Sequence, residues 1–302
     1  MKKSMLAIAM LSLAATVACA QETSTHADHA AAAAAAPPGP SEMTGGVWAK
    51  AHLASSPRHR EWVNVKAGNR VVSCFVVYPE VKNKATAVIL IHEIFGLTDW
   101  VQMEADEVAA EGYIAIAPDL LSGTGPKGGG TSDIGDVNAA VKVIGTLPPD
   151  QITSDLNAVA DYVTKLPSAN GKLAVGGFCW GGGQSFRFAT NRPGLSAAFV
   201  FYGTGPTSPD AIAAIKAPVY GFYAGNDARV GATIPATTEL MKAAAKTYEP
   251  VTYEGAGHGF MRAGDAPPPP ATAEAKARDA YAGNKKARDA AWVRWTALLK
   301  KL

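Results

Sequence analysis

Cysteine is scarce in this chain. The 302 residues include three cysteines, Cys19, Cys74 and Cys179. This number excludes a disulfide scaffold, because small domains of that class need several paired cysteines. Cys74 lies in "RVVSCFVVYP", a β-branched run typical of an interior strand, so we expect it to be a small buried residue. The sequence alone does not exclude a single disulfide bridge between Cys74 and Cys179.

An excess of charge of either sign is also missing. Lys and Arg number 28 and Asp and Glu 26, for a formal net charge of +2. This balance gives no reason to expect a nucleic-acid partner or a polybasic membrane patch. His26 and His29 lie close together but lack further ligands, so we expect no metal site. We likewise expect no organic cofactor.

Apolar runs long enough to span a membrane are lacking. The N-terminal "MKKSMLAIAMLSLAATVACA" has two lysines and an apolar run shorter than the ~20 residues of a span. It ends in the A-x-A pattern of a signal-peptidase site, so residues 1–20 are predicted to be a signal peptide. We expect an exported protein, periplasmic or secreted. Lipid attachment at Cys19 is the less favoured alternative, since "TVA" is a poor lipobox.

The remaining chain divides into a linker and one domain. Residues 21–44 are rich in Ala and Pro with little to bury, which predicts a disordered linker. Residues 45–302 begin with a hairpin pattern, and apolar strands then alternate with helices. This predicts an α/β domain with a doubly wound, mostly parallel sheet flanked by helices. The later strand patterns are "ATAVILIHE", "YIAIAPDL", "KLAVGGF", "SAAFVFYG", "PVYGFYAGND" and "EPVTYEGAGHGF", and a helix is predicted over 285–301.

What is plentiful is glycine around Cys179. "GFCWG" (177–181) follows a strand pattern directly and matches the G-x-S-x-G nucleophile elbow with Cys in place of Ser. A sharp strand-to-helix turn needs flanking residues without side chains. The helix N-terminus that follows favours a thiolate. We therefore predict that Cys179 is a nucleophile; a buried structural cysteine is the alternative.

A thiol nucleophile needs a base and an acid that orients the base. In this elbow class the acid follows the nucleophile and the histidine comes last. His258 is the only histidine after Cys179, and Asp227 ends the preceding strand pattern. We predict that these two serve as base and acid. Asn226 and Asp210 are weaker candidates for the acid, Asp227 could instead cap a helix, and His258 could be a loop residue.

The loop after "AVILIH" is expected to form the other wall of the site. Oxyanion holes of this class use the backbone N–H after the nucleophile and one from this earlier loop. The amides of Trp180 and Ile94 are therefore predicted to be the two donors. Glu93 lies in the same loop, and its alternative role is that of a carboxylate near a helix start.

Five motifs in order resemble the dienelactone hydrolases (carboxymethylenebutenolidases). They are "HEIFGL", "APDL", "GFCWGG", "GNDARV" and "GHGFMR", and the resemblance covers roughly residues 60–302. It implies an α/β-hydrolase fold, a Cys179–His258–Asp227 triad and an acyl-thioester on Cys179. It also implies that Glu93 contacts the thiol and helps to generate the thiolate when substrate binds.

The same resemblance bears on the substrate. Arg262 matches an arginine that binds the substrate carboxylate, a contact that suits a planar guanidinium; an exposed loop arginine is the alternative. The family's second such arginine is missing, because Leu-Ser-Gly stands at 121–123. Lys127 is nearby in a glycine-rich loop that does not fix its position. This departure leaves the natural substrate open.

Together these features predict a cysteine-dependent hydrolase of a small ester or lactone that acts as a monomer. The alternative is a non-catalytic, hydrolase-like protein of the cell envelope. Its cysteine would then bind ligands or sense oxidants, because exposed thiols of low pKa are the ones that oxidise.

Overall fold

The computed structural model describes residues 46–264 and 266–302. The predicted signal peptide (1–20) and linker (21–44) lie outside the described residues, so both stay predictions. Within the described part, no helix is long and apolar enough to cross a membrane.

An eight-stranded sheet forms the centre of the protein, in the order β1-β2-β4-β3-β5-β6-β7-β8. β1 and β2 form the predicted hairpin, β2 is antiparallel to β4, and all later pairings are parallel. This confirms the doubly wound, mostly parallel sheet. The strands are β1 (Arg60–Ala67), β2 (Arg70–Val77), β3 (Ala85–Ile91), β4 (Ile114–Pro118), β5 (Ala169–Phe178), β6 (Ala197–Phe201), β7 (Val219–Ala224) and β8 (Tyr248–Tyr253).

Helices cover the sheet, so that every residue of β3, β4 and β6 is buried. The longer helices are α1 (Gly46–Ser55), α2 (Asp99–Ala110), α4 (Val137–Ile144), α5 (Pro149–Thr164), α6 (Trp180–Asn191), α9 (Ile234–Ala243) and α10 (Ala275–Leu299). The short ones are α3 (Thr131–Ile134), α7 (Pro209–Ala214), α8 (Ala228–Gly231) and a 3-10 turn (Phe260–Ala263).

Two helices differ from the sequence-based expectation. α1 was not predicted, and α10 begins at Ala275 rather than at 285. The first ten residues of α10 are mostly exposed, so they lack the apolar periodicity by which a helix is recognised. The glycine-rich segment 122–133 also contains the start of α3.

The C-terminal helix packs beneath the strand that leads to Cys179. Trp295 is fully buried, and its ring centroid lies 6.1 Å from that of Phe178 and 4.8 Å from that of Phe201. Gly176 leaves room for this indole, because a Cβ there would lie 3.3 Å from it. The end of β5 is therefore held by aromatic packing.

Neither Cys74 nor Cys179 forms a disulfide. Cys74 is fully buried in β2, as expected of a small apolar residue, and burial raises the pKa of its thiol well above the usual range. The bridge left open by the sequence is thus excluded.

A buried carboxylate fastens α1 to the body of the protein. Asp106 on α2 accepts hydrogen bonds from Ser56 Oγ (2.6 Å) and Arg58 Nε (3.1 Å), and it binds His52 Nε2 at 3.0 Å. The side chain of Asp106 is completely buried. Burial alone would raise its pKa, but the hydrogen bonds from Arg58 and Ser56 outweigh that effect and lower the pKa.

Replacing this carboxylate should weaken the fold in a pH-dependent way. Asp106→Asn leaves Arg58 without its anion, so we expect the free energy of unfolding to fall by about 3 kcal/mol at pH 7. A carboxyl whose pKa is lower in the folded than in the unfolded protein stabilises the fold at pH values above its unfolded-state pKa. This stabilisation is lost as the pH falls through the folded-state pKa. Urea unfolding of both proteins from pH 7 downwards should therefore show the difference shrinking below about pH 4.

The matched control is Asp161→Asn. Asp161 pairs with Arg192 at 2.7 Å but is 54% exposed, and such pairs contribute at most about 1 kcal/mol. Equal losses in the two variants, or a loss at Asp106 that does not change with pH, would contradict the prediction.

Candidate active site

The turn between β5 and α6 places Cys179 in a strained backbone conformation. Its φ is +57° and its ψ −118°, a region that costs a non-glycine residue about 1–3 kcal/mol. Backbone hydrogen bonds hold it there. Its N–H donates to the Phe201 carbonyl (3.0 Å), and its own carbonyl accepts from the amides of Gly182 (3.0 Å) and Gly183 (3.3 Å).

Glycines around this turn are required by space. A Cβ at Gly177 would lie 1.9 Å from the Gly181 carbonyl oxygen, and one at Gly181 would lie 2.3 Å from the Ile91 oxygen. A Cβ at Gly182 would lie 2.5 Å from the Phe201 oxygen. The first turn of α6 thus contacts the backbones of β3 and β6 directly.

The structure brings the three predicted residues into one hydrogen-bonded line. His258 Nε2 lies 3.1 Å from Cys179 Sγ, and Nδ1 lies 2.5 Å from Asp227 Oδ2. The other oxygen of Asp227 accepts from the Val230 amide at 3.2 Å. Asp227 therefore caps α8 and also orients the histidine. Of the candidates for the acid, Asp227 is the residue bound to His258.

The pKa values of His258 and Asp227 depend on the charges of their neighbours in this line. Burial opposes protonation of His258, but negative charge at Cys179 and the hydrogen bond to Asp227 prevail and raise its pKa to about 10. Burial also acts against the Asp227 carboxylate, yet the bond from His258 lowers its pKa. Because 27% of the His258 side chain is exposed, the imidazole can exchange a proton with a bound molecule.

A second ion pair, between Arg262 and Glu93, lies next to the pair of His258 and Asp227. Arg262 donates to both oxygens of Glu93, with Nε–Oε2 at 2.8 Å and Nη2–Oε1 at 3.1 Å. Burial raises the pKa of Glu93, although the charge of Arg262 acts in the opposite direction. The guanidinium also lies over the Phe95 ring, 5.4 Å from its centroid. Arg262 therefore belongs to the site and is not an exposed loop arginine.

The two segments predicted to supply oxyanion donors are in contact. Trp180 is the first residue of α6, where amides point out of a helix N-terminus. Ile94 lies in a turn that is closed by a hydrogen bond from the Gly96 amide to the Glu93 carbonyl (3.2 Å). Gly181 packs against the end of the strand that precedes this turn.

Lys127 is the basic residue nearest in sequence to the position of the missing second arginine, and its side chain is exposed.

Two buried residues of the site were not predicted. Tyr202 is fully buried with φ +41°, and its ring meets the His258 ring edge-on at 5.0 Å. His92 is fully buried behind the Glu93 turn. Both follow strand patterns in the sequence directly. Because ligand-binding residues of this fold class lie at the carboxyl ends of strands, this position could have identified both as candidates for the site.

Among the residues that the structure describes, no group of three or more His, Cys, Asp or Glu side chains is arranged to hold a metal ion.

Comparison with known proteins identifies the family. The model of the dienelactone hydrolase family matches residues 72–302. The chain belongs to the dienelactone hydrolase family. The motif resemblance is confirmed, and with it the assignment as an ester or lactone hydrolase with an α/β-hydrolase fold.

Individual relatives agree with this membership. Proteins of Methylorubrum extorquens and Salmonella typhi, both named "Putative carboxymethylenebutenolidase", are 30% and 31% identical over 210 and 205 residues. These matches cover 66% and 64% of this chain and 71% and 73% of the relatives. A "Putative Dienelactone Hydrolase" structure from Klebsiella pneumoniae has a TM-score of 0.66 at 24% identity, covering 81% of this chain and 99% of its own. That likeness concerns the fold.

The backbone contacts at the elbow predict which glycines tolerate a methyl group. Gly181→Ala forces a Cβ against backbone oxygen, so we expect it to lower the free energy of unfolding by more than about 3 kcal/mol. Gly183→Ala is the matched control in the same helical turn, since its nearest neighbour would lie at 3.5 Å. It should change stability by less than about 1 kcal/mol. Thermal unfolding of both variants checks this, and equal midpoints would refute the packing argument.

Proposed function

We propose that this family member cleaves a small ester or lactone through an acyl-thioester on Cys179. The observation that carries the proposal is the line Cys179 Sγ–His258–Asp227, with contacts of 3.1 and 2.5 Å. Such a line matches nucleophile, base and orienting acid. Family membership favours the hydrolase over the sensing alternative.

When substrate binds, the Cys179 thiol gives its proton to Glu93, so the first half-reaction begins with a thiolate beside the imidazolium of His258. Sulfur attacks the carbonyl carbon, and the carbonyl π electrons move to oxygen to give a tetrahedral oxyanion. The amides of Trp180 and Ile94 stabilise this oxyanion. When it collapses, the C–O bond to the leaving group breaks, and His258 Nε2–H protonates the departing alkoxide. The acyl group remains on sulfur.

The second half-reaction regenerates the enzyme. His258, now neutral, takes a proton from water, and the hydroxide adds to the thioester carbonyl. The second oxyanion collapses and expels the Cys179 thiolate, so that the acid product leaves and the imidazolium pairs with the thiolate again. Asp227 keeps Nδ1 protonated and the ring oriented throughout.

Glu93 and Arg262 link this cycle to an anionic substrate. Arg262 has the fork geometry that binds a carboxylate in bidentate fashion, and Glu93 occupies that fork in the described structure. A substrate carboxylate competes for the same guanidinium. Glu93, once displaced, becomes a buried carboxylate near Cys179, where it accepts the thiol proton before the attack. It returns this proton to the thiolate when the product leaves, and then pairs with Arg262 again.

Export, a monomeric state and a small-molecule substrate complete the proposal. The N-terminal sequence supports export through its A-x-A site. N-terminal sequencing of the native protein tests this directly, since a chain that begins at Met1 contradicts it.

Removing the thiol should abolish turnover. We expect Cys179→Ala to lower kcat for an activated aryl ester by at least about 10,000-fold, because no other group can form the acyl intermediate. Steady-state kinetics measures the loss, and mass spectrometry of quenched wild-type reactions should show the acyl group on Cys179.

Cys74→Ala is the matched control. This thiol is buried in β2, so the variant should keep kcat within about twofold of wild type. Near-normal turnover by Cys179→Ala, in a protein that folds normally, would overturn the proposal.

The role of Arg262 is testable with a pair of esters that share a leaving group. One ester has a carboxylate on its acyl chain and the other is neutral. Arg262→Gln should raise KM for the anionic ester at least about tenfold more than for the neutral one, since a bidentate charged contact is lost. Arg192→Gln, on the surface pair with Asp161, is the control. Equal changes for both esters would refute carboxylate binding.

A further inference from the structure

The tautomer of His92 is fixed by its partners. Nε2 lies 3.2 Å from the amide nitrogen of Leu120, and Nδ1 lies 2.7 Å from the carbonyl oxygen of Glu93. An amide can only donate, so Nε2 must be the acceptor and the ring proton must be on Nδ1. His92 therefore donates to the Glu93 carbonyl. Complete burial lowers the pKa of the ring, so it stays neutral.

The Glu93 carbonyl and the Ile94 N–H belong to one peptide unit. In a trans peptide these two groups point in opposite directions. The carbonyl accepts from His92 Nδ1 and also from the Gly96 amide at 3.2 Å. Two donors thus fix the plane of the peptide, and with it the direction of the Ile94 N–H.

His92 also contacts the segment after the nucleophile. Its ring stacks on the Trp180 indole, with centroids 5.4 Å apart and planes 19° from parallel. Leu120, its other partner, belongs to the loop after β4. One buried ring therefore joins the Glu93 turn, the loop after β4 and the first residue of α6.

We propose that His92 is a positioning residue of the oxyanion hole: it holds the Glu93–Ile94 peptide so that the Ile94 N–H faces the oxyanion formed at Cys179. This inference deepens the proposed function and rests on it. His92 neither gains nor loses a proton during the cycle. Its contribution is to the geometry of a donor that matters in the two tetrahedral states.

His92→Phe tests the role, because it keeps an aromatic ring on Trp180 and removes both nitrogens. We expect kcat for an activated aryl ester to fall about 10- to 100-fold, with KM within about twofold of wild type. His92→Gln, which keeps an amide donor, should recover part of the loss. The control is His59→Phe on the exposed surface, which should leave kcat unchanged.

Alkylation of Cys179 by iodoacetamide supplies a second readout. That displacement forms no oxyanion, so its rate should be the same in His92→Phe and in wild type. An unchanged kcat in His92→Phe would overturn the proposal. A parallel fall in kcat and in alkylation would also overturn it, because the defect would then lie in the thiol.

A measurement on the wild-type protein covers the case in which His92→Phe does not fold. The ¹⁵N NMR spectrum at pH 7 should show His92 with its proton on Nδ1. A proton on Nε2, or a charged ring, would overturn the proposal. Failure of the proposed function is distinguishable, since it would appear as turnover by Cys179→Ala.

Discussion

Direct backbone contact at the start of α6 is the constraint on which the site depends. Gly181 and Gly182 lie against carbonyl oxygens of β3 and β6, closer than any side chain would allow. This contact holds Cys179 at positive φ, because the residue is linked to the strand on one side and to the clamped helix on the other. The thiol, the helix N-terminus and the Glu93 turn are brought together by the same packing.

Two ion pairs share this confined space, and their charges explain its chemistry. His258 is held between Cys179 and Asp227, while Glu93 is held by Arg262. Low dielectric strengthens each pair and makes an unpaired charge costly. A substrate anion that takes Arg262 would therefore leave Glu93 with a strong tendency to acquire a proton, and the neighbouring thiol can supply one. In the proposed cycle, binding and thiol activation are thus one electrostatic event.

Much of this arrangement follows from the sequence, and the exceptions have a common cause. Strand patterns located Cys179, Asp227 and His258 at one edge of the sheet, since parallel strands place their carboxyl ends together. The pairing of Glu93 with Arg262 was not predictable, because 169 positions separate them and only tertiary packing joins them. The attachment of α1 through Asp106 and the hydrogen bond from the Leu120 amide to His92 depend equally on long-range contacts.

The "APDL" motif illustrates how such contacts assign roles. Asp119 accepts from Thr131 Oγ1 at 2.8 Å, and that oxygen accepts from the Leu97 amide at 2.9 Å, so the motif braces the end of the Glu93 turn. Ser122 is committed too, since its Oγ accepts from the Ser73 amide and donates to the Asp119 carbonyl. The segment at 121–123 is therefore held by structural hydrogen bonds at the position where the family resemblance expects a second arginine. Recognition of a carboxylate in the proposed reaction then depends on Arg262, which binds Glu93 until substrate arrives.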